Sequence, residues 1–317
     1  MLLSVILLII IVYALTYAYI KLTIGICKCS THLVGKVVIV TGANAGIGYE
    51  SAKNFAERGA RVIIACRNDS RGNTAKDSII KTTGNVDVHY RQLDFASLSS
   101  VKRFADEIIK NETRLDVLVN NAGINGSFNV KTEDGLLLGM QTNYFGPFLL
   151  TCLLLPLIKS SAPSRIVNVA SMAHGRAYLD LDNLNMEKET EETFSKAKVY
   201  AVSKLCNVLF SLELSRRLKG TNVTSNSLHP GVVDTNILNG IESKLLQGLK
   251  PLMKPFFKNQ WEGAQTTIYL SVSPEVKDVS GKYFRDCQMV DVSTDQARDP
   301  ELARKLWDVS QRLLKFK

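Results

Sequence analysis

The apolar run KVVIV, Lys36 to Val40, passes directly into TGANAGIG, Thr41 to Gly48, and then into YESAKNFAERGA, a stretch of helical spacing closed by Gly59. A strand that turns straight into a helix aims the helix's first backbone N–H groups, and the positive end of its dipole, at open space. Such a corner binds phosphate. Gly42 suits the tight turn, while Gly46 and Gly48 let a ligand and a neighbouring strand come close. Gly42, Asn44, Ala45, Gly46, Ile47 and Gly48 are therefore candidate dinucleotide-binding residues. Taken alone, the glycines are weak evidence, and an ordinary tight turn is the rival reading.

The rest of the chain decides between these. β-rich runs at Lys36–Val40, Arg61–Cys66, Val86–Leu93, Leu115–Val119, Arg165–Val169, Val223–Leu228 and Lys282–Phe284 alternate with helical patterns. Strands separated by helices imply crossover units, hence an α/β, doubly wound, mostly parallel sheet with helices on both faces. Ligands of such sheets bind at the carboxyl ends of the strands. That edge would collect the glycine corner, Cys66–Asn68, Asp94, Asn120–Gly123, Val169–His174 and His229–Thr235. From Gly35 to the C-terminus no linker or repeat interrupts the pattern, so residues 35–317 read as one domain, with a substrate lid around 236–262.

Leu2 to Ile20 holds nineteen residues without a charge. As a helix it would extend about 29 Å, close to one hydrocarbon core. Residues 1–21 read as a membrane anchor; a cleaved signal peptide is the rival, but no basic residue precedes the run and the run exceeds a usual signal core. Lys21, Lys28 and Lys36 follow closely and place the remainder in the cytosol by the positive-inside tendency. Asn68, Asn111, Asn125 and Asn222 each open a glycosylation sequon, so a sugar on any of them would reverse that orientation. The net charge of +9 comes without any nucleic-acid-binding signature, and the six cysteines show neither zinc nor disulfide spacing. Nucleic acid and a bound metal are accordingly not expected.

Tyr200 and Lys204 stand four residues apart in a strongly helical stretch and share a face. An ammonium beside a phenol favours the phenolate, so Lys204 could tune Tyr200 for proton transfer. Ser171 lies just beyond the strand RIVNVA, where its hydroxyl can hold a substrate oxygen. Nucleophilic use of Ser171 is the rival chemistry, with His174 three residues on, but no Gly-x-Ser-x-Gly elbow surrounds it.

Thr41-Gly-x-x-x-Gly-x-Gly, Asn120-Asn-Ala-Gly, Ser171, Tyr200-x-x-x-Lys204 and Pro230-Gly231, in this order, resemble the short-chain dehydrogenase/reductase superfamily. GARVIIACRN, SAPSRIVNVASMAH, LSRRLKG, HPGVV and ARKLWDVS are similar to its membrane-anchored retinol dehydrogenase 11 to 14 branch. The resemblance implies Tyr200 as catalytic acid/base and Lys204 as the group that lowers its pKa and holds the nicotinamide ribose. It implies Ser171 as the substrate-orienting hydroxyl and Asn143 as the fourth member, in a proton relay through Lys204. Asp94 matches a contact to the adenine ring, though an aspartate capping the next helix fits as well. Thr235 matches a cofactor contact, and Asn120 a residue beside the adenosine with a partly structural role. In place of the two serines of close relatives stands VAS, which keeps Ser171, and a charged loop at residues 180–193 hangs beside the site, either gating substrate or simply solvated.

Twenty residues beyond Gly46, where an acid would select NAD, stand Cys66 and Arg67. The guanidinium suits the 2′-phosphate of NADP, while Asp69 keeps NAD as the alternative. The resemblance thus implies an NADP(H)-dependent oxidoreductase acting on a lipophilic retinoid, held in the endoplasmic reticulum membrane with its catalytic domain in the cytosol. A homodimer is left open. A steroid or lipid-aldehyde reductase of the same fold is the alternative enzyme, and a catalytically silent nucleotide-binding membrane protein the alternative outside enzymes. Leu245–Trp261, apolar residues set among lysines, is expected either to touch the headgroup layer or to pack as an ordinary lid.

Overall fold

The computed structural model describes residues 2–125, 128–233 and 254–316. Eight strands form one sheet in the order β3-β2-β1-β4-β5-β6-β7-β8: β1 (Val37–Thr41), β2 (Arg61–Cys66), β3 (Val88–Gln92), β4 (Val117–Asn120), β5 (Ser164–Val169), β6 (Val223–His229), β7 (Tyr283–Arg285) and β8 (Gln288–Val290). β1 to β7 pair in parallel, and β8 alone is antiparallel. This is the Rossmann-type doubly wound sheet that the alternation predicts. β8 escapes the sequence pattern because it has three residues and lies at an edge, where nothing demands an apolar alternation.

The central strands are buried on both faces, which explains why they read as unbroken apolar runs. Their side chains still alternate. Ile39 and Ile63 point into a core shared with α4 (Leu98–Asn111), α5 (Gly146–Ser160), α6 (Lys196–Arg217) and α8 (Pro300–Leu313). Val38, Val40, Val62 and Ile64 point into the opposite core, under α2 (Gly46–Glu57), α3 (Asp69–Thr83) and α7 (Gln260–Val272). The first core holds a ring cluster in which Phe148 meets Trp307 edge-on at 4.8 Å and Phe210 at 5.3 Å. Full burial of a phenylalanine contributes about 2–3 kcal/mol.

Among the described residues, two stretches are long and apolar enough to cross a membrane. Leu138–Ser160 is mostly buried, because it is the central helix of the first core. The N-terminal helix α1 (Leu2–Thr23) is the opposite case, with Ser4–Thr23 carrying its apolar side chains outside the domain. Between α1 and β1 the chain is not a free linker, although the sequence assigns those residues to neither segment. It runs extended with every second residue turned inward, ending on buried Leu33, whose amide bonds the Arg58 carbonyl at 2.8 Å.

Candidate active site

The glycine corner folds as its sequence demands. Gly42 and Gly46 take φ of +67° and +63°, the left-handed region that only glycine enters freely. Thr41, wholly buried, accepts from the amides of Asn121 and Ala122 at 3.0 Å each, and the Asn121 side chain donates to the Thr41 carbonyl at 2.8 Å. The turn after β1 is thereby locked to the turn after β4. A Cβ on Gly48 would stand 2.6 Å from the Gly42 carbonyl and overlap the Asn121 amide, so only glycine fits. Ala45, at the N-cap of α2, offers no capping side chain, which leaves the helix's first amides available to an anion.

In front of this corner lies a cavity of about 640 Å³. Gly42, Asn44, Ala45, Gly46, Ile47, Gly48, Arg67, Asp94, Tyr200 and Lys204 all line it. Arg67 reaches it exposed, whereas the Asp69 carboxylate is bonded by the Tyr90 hydroxyl at 2.6 Å and stands outside the lining. Asp94 does not cap α4. Its carboxylate accepts from Ala96, and Ser97 is the cap. The set of uncapped amides, backbone without room for Cβ atoms, and a cation at the far end fits a nicotinamide dinucleotide. Thr235 and residues 236–253 of the expected lid lie outside the described residues.

Asn120 takes the structural part of its expected role. Its side chain donates to Thr151 at 2.9 Å and Asn168 at 2.8 Å, inside the layer between sheet and helix, and it does not line the cavity. Successive residues of a strand face opposite ways, so its neighbour Asn121 takes the cavity position.

A second cavity, of about 890 Å³, adjoins the first. Ser171, Met172, Tyr178, Val232 and Val233 line it, as do Asp180, Asn183, Met186 and Glu189, so the charged loop forms part of the wall. Ile47, Ala170, Tyr200 and Pro230 belong to both cavities. Tyr200 thus stands in the partition between a glycine-lined trough and a largely apolar chamber.

Burial pushes the Tyr200 phenol above its ordinary pKa, and a hydrogen bond with the Ser171 hydroxyl pulls it back. Lys204 is buried, donates to the Val169 carbonyl at 2.9 Å and holds its ammonium 5.6 Å from the centre of the Tyr200 ring. Loss of water drives the Lys204 pKa down to about 8. The Lys204 amine lies over the ring face and spends its hydrogen bond on the backbone, while Ser171 lowers the phenol from the other side. Asn143, 2% exposed, accepts from the Ile124 amide at 2.8 Å and donates to the Ile124 carbonyl at 2.9 Å and to Ser203 at 3.1 Å. A Cβ on Gly123 would stand 3.4 Å from both Asn143 and the Lys204 amine, which places the two side chains around one point.

The histidines do not serve Ser171 as a base. His174 Nδ1 meets the Ser171 carbonyl at 2.6 Å rather than its hydroxyl, and Nε2 meets Ser293 at 3.1 Å. His229, on the wall of the second cavity, is driven down to about 4 by burial and by Lys258. It is neutral at physiological pH.

A Rossmann sheet with a phosphate-binding corner and a Ser-Tyr-Lys set between two cavities defines a nicotinamide-dependent oxidoreductase. The chain belongs to the short-chain dehydrogenase/reductase family. The model of that family described as short chain dehydrogenase matches residues 36–181. Human retinol dehydrogenase 14 is similar, 46% identical over 294 residues that cover 87% of this chain and 85% of that one. Mouse retinol dehydrogenase 11 is 44% identical over 92% of this chain and 90% of its own. Among solved structures, an uncharacterised protein from Mycobacterium paratuberculosis superposes with a TM-score of 0.71 at 32% identity, over 90% of this chain and 96% of that one.

Proposed function

We propose that this chain is a membrane-tethered, NADP-dependent oxidoreductase that interconverts retinal and retinol. The observation that carries the reading is Tyr200 in the wall common to the two cavities, with Ser171 lining the chamber beside it and Lys204, one helical turn away, lining the trough. Ser171 orients the substrate oxygen by hydrogen bonding. Tyr200 gives a proton to that oxygen in reduction and takes it back in oxidation, and Lys204 holds the nicotinamide ribose and returns the proton. Asn143 fixes the backbone at Ile124 beside Lys204. The dinucleotide, when bound, supplies or accepts the hydride. Arg67 at the trough's end and the engagement of Asp69 with Tyr90 support NADP over NAD.

The apolar lining of the chamber and the names of the similar relatives support a retinoid. The apolar helix α1, none of whose spanning window is buried in the domain, supports membrane attachment; Lys21, Lys28 and Lys36 beyond it support a cytosolic domain, and the membrane proposed is that of the endoplasmic reticulum. Arg176, Asp180, Glu189 and Lys198 around the chamber favour a second reading, a lipid-aldehyde reductase for substrates with a polar end.

Purified protein assayed with NADPH and NADH against all-trans-retinal tests this, with Tyr200→Phe alongside. Loss of the phenol should cut turnover by roughly 10²- to 10⁴-fold, while NADPH still binds. Undiminished turnover by Tyr200→Phe would remove the mechanism, and absence of turnover by the wild type with NADPH would leave a catalytically silent binder.

A further inference from the structure

The apolar N-terminal helix is joined to the substrate chamber by a series of contacts that catalysis does not require. Lys21, in the last turn of α1, pairs with Glu262 at 2.8 Å, and its amine also donates to the Phe257 carbonyl at 3.3 Å. Tyr13 and Tyr17 set their ring edges on Phe256 at 4.7 and 6.3 Å. Glu262 simultaneously accepts from the Asn259 amide at 2.8 Å while Asn259 accepts from the Glu262 amide at 2.8 Å, the reciprocal cap that starts α7. One residue earlier, the Lys258 amide donates to the Val232 carbonyl at 2.9 Å, and Val233 bridges to Lys258. Val232 and Val233 are chamber wall. The segment Phe257–Lys258 therefore meets α1 through the Phe257 carbonyl and the chamber wall through the Lys258 amide.

Beyond α1 the chain is stitched down. Gly25 lies so close to the Asp286 backbone that a Cβ there would overlap it, and Asp286 in turn holds Lys258 at 2.5 Å. The Cys27 amide donates to Gln265 at 3.2 Å, and the Arg58 guanidinium donates to the carbonyls of Thr31 at 2.8 Å and Cys29 at 3.0 Å. A domain meant to swing on a tether would show no such bonds.

We infer that residues 21–33 form a clamp, closed by the Lys21–Glu262 pair, that fixes the chamber mouth beside the point where α1 leaves the bilayer, so that lipophilic substrate enters from the membrane side. This rests on the membrane and substrate reading proposed above. Lys21 and Glu262 are positioning residues and touch neither substrate nor cofactor. The pair is part-buried, 25% and 14% exposed, and is therefore screened less by salt than a fully exposed pair.

The test uses full-length protein in phosphatidylcholine vesicles and in detergent micelles, with all-trans-retinal and NADPH in both. Two variants open the clamp: Lys21→Glu, and a six-residue Gly/Ser insertion after Thr23. In vesicles kcat/KM should fall at least fivefold through KM, with kcat retained, whereas in micelles both variants should match the wild type. Vesicle values within twofold of the wild type, or an equal loss in both media, would overturn the clamp. Amide hydrogen exchange at residues 25–33 supplies a readout independent of turnover: protection in the wild type and its loss in the insertion variant support the clamp, and fast exchange in the wild type refutes it. Silence of the wild type in both media, with residues 25–33 protected, counts against the retinoid reading alone.

Discussion

Replacing Lys204 by methionine separates what the amine does for the fold from what it does for function. Burial lowers its pKa from 10.5 to about 8, a shift equivalent to about 3 kcal/mol against the charged form. The folded protein binds fewer protons than the unfolded chain between those two values, so stability rises with pH across that window and the penalty is fully present below about pH 8. Methionine removes the penalty but also the bond to the Val169 carbonyl, worth roughly 1.5–3 kcal/mol for a charged donor. The net gain at pH 7 is thus about 1 kcal/mol, or roughly 2–4 °C in Tm for a domain of this size. Thermal unfolding in detergent without dinucleotide, followed by circular dichroism at pH 7 and pH 9.5, reads the difference. Lys204→Met should be as stable as the wild type or more so at pH 7, and its stability relative to the wild type should fall by about 2 kcal/mol between pH 7 and pH 9.5. An identical difference at the two pH values would refute the claim that a desolvated charge sits at this position. The same variant should be inactive at both.

Arg67→Ala should raise the KM for NADPH by roughly 10- to 100-fold, the worth of a charge-assisted bond, and leave NADH almost unchanged; steady-state kinetics with both nucleotides checks it. Gly48→Ala places a Cβ 2.6 Å from the Gly42 carbonyl, so dinucleotide affinity should fall at least about tenfold in a fluorescence titration, because the turn must shift to admit it. Asp116, 4% exposed, bonds Lys36, Arg114 and the Val37 amide. Burial alone would raise its pKa, but the Arg114 guanidinium, the amide and Lys36 outweigh burial and hold it below 3.8. Its contribution is present above pH 3.8 and disappears as pH falls through the lower folded value. Asp116→Asn should cost about 3 kcal/mol at pH 7 in a denaturant titration, and the cost should shrink as pH falls below 3.8.

Much of the architecture is written in local pattern. Arg61–Cys66 begins and ends where its apolar run does, and the glycine corner requires positive φ at Gly42 and Gly46 wherever it occurs. β3 starts at Val88, two residues later than the sequence suggests, and β8 had no pattern to announce it. Within the site, Tyr200 and Lys204 share a helix face by spacing alone, but that spacing does not say where the amine's bond goes. The Val169 carbonyl that captures it comes from β5, a distant part of the chain.

The sequence by itself determined the alternation of strand and helix, the phosphate-binding corner and the apolar N-terminal helix, since each depends on residues within a few positions of one another. The tertiary structure decided which residues meet. It turned Asn121 rather than Asn120 to the trough, put Tyr200 between two cavities, drew the 180–189 loop into the chamber wall, and bound Lys21 to Glu262 across 241 positions. Those encounters depend on the order of strands in the sheet and on which face each crossover covers. No local period encodes that order, because it is set by how two separate cores close around one sheet.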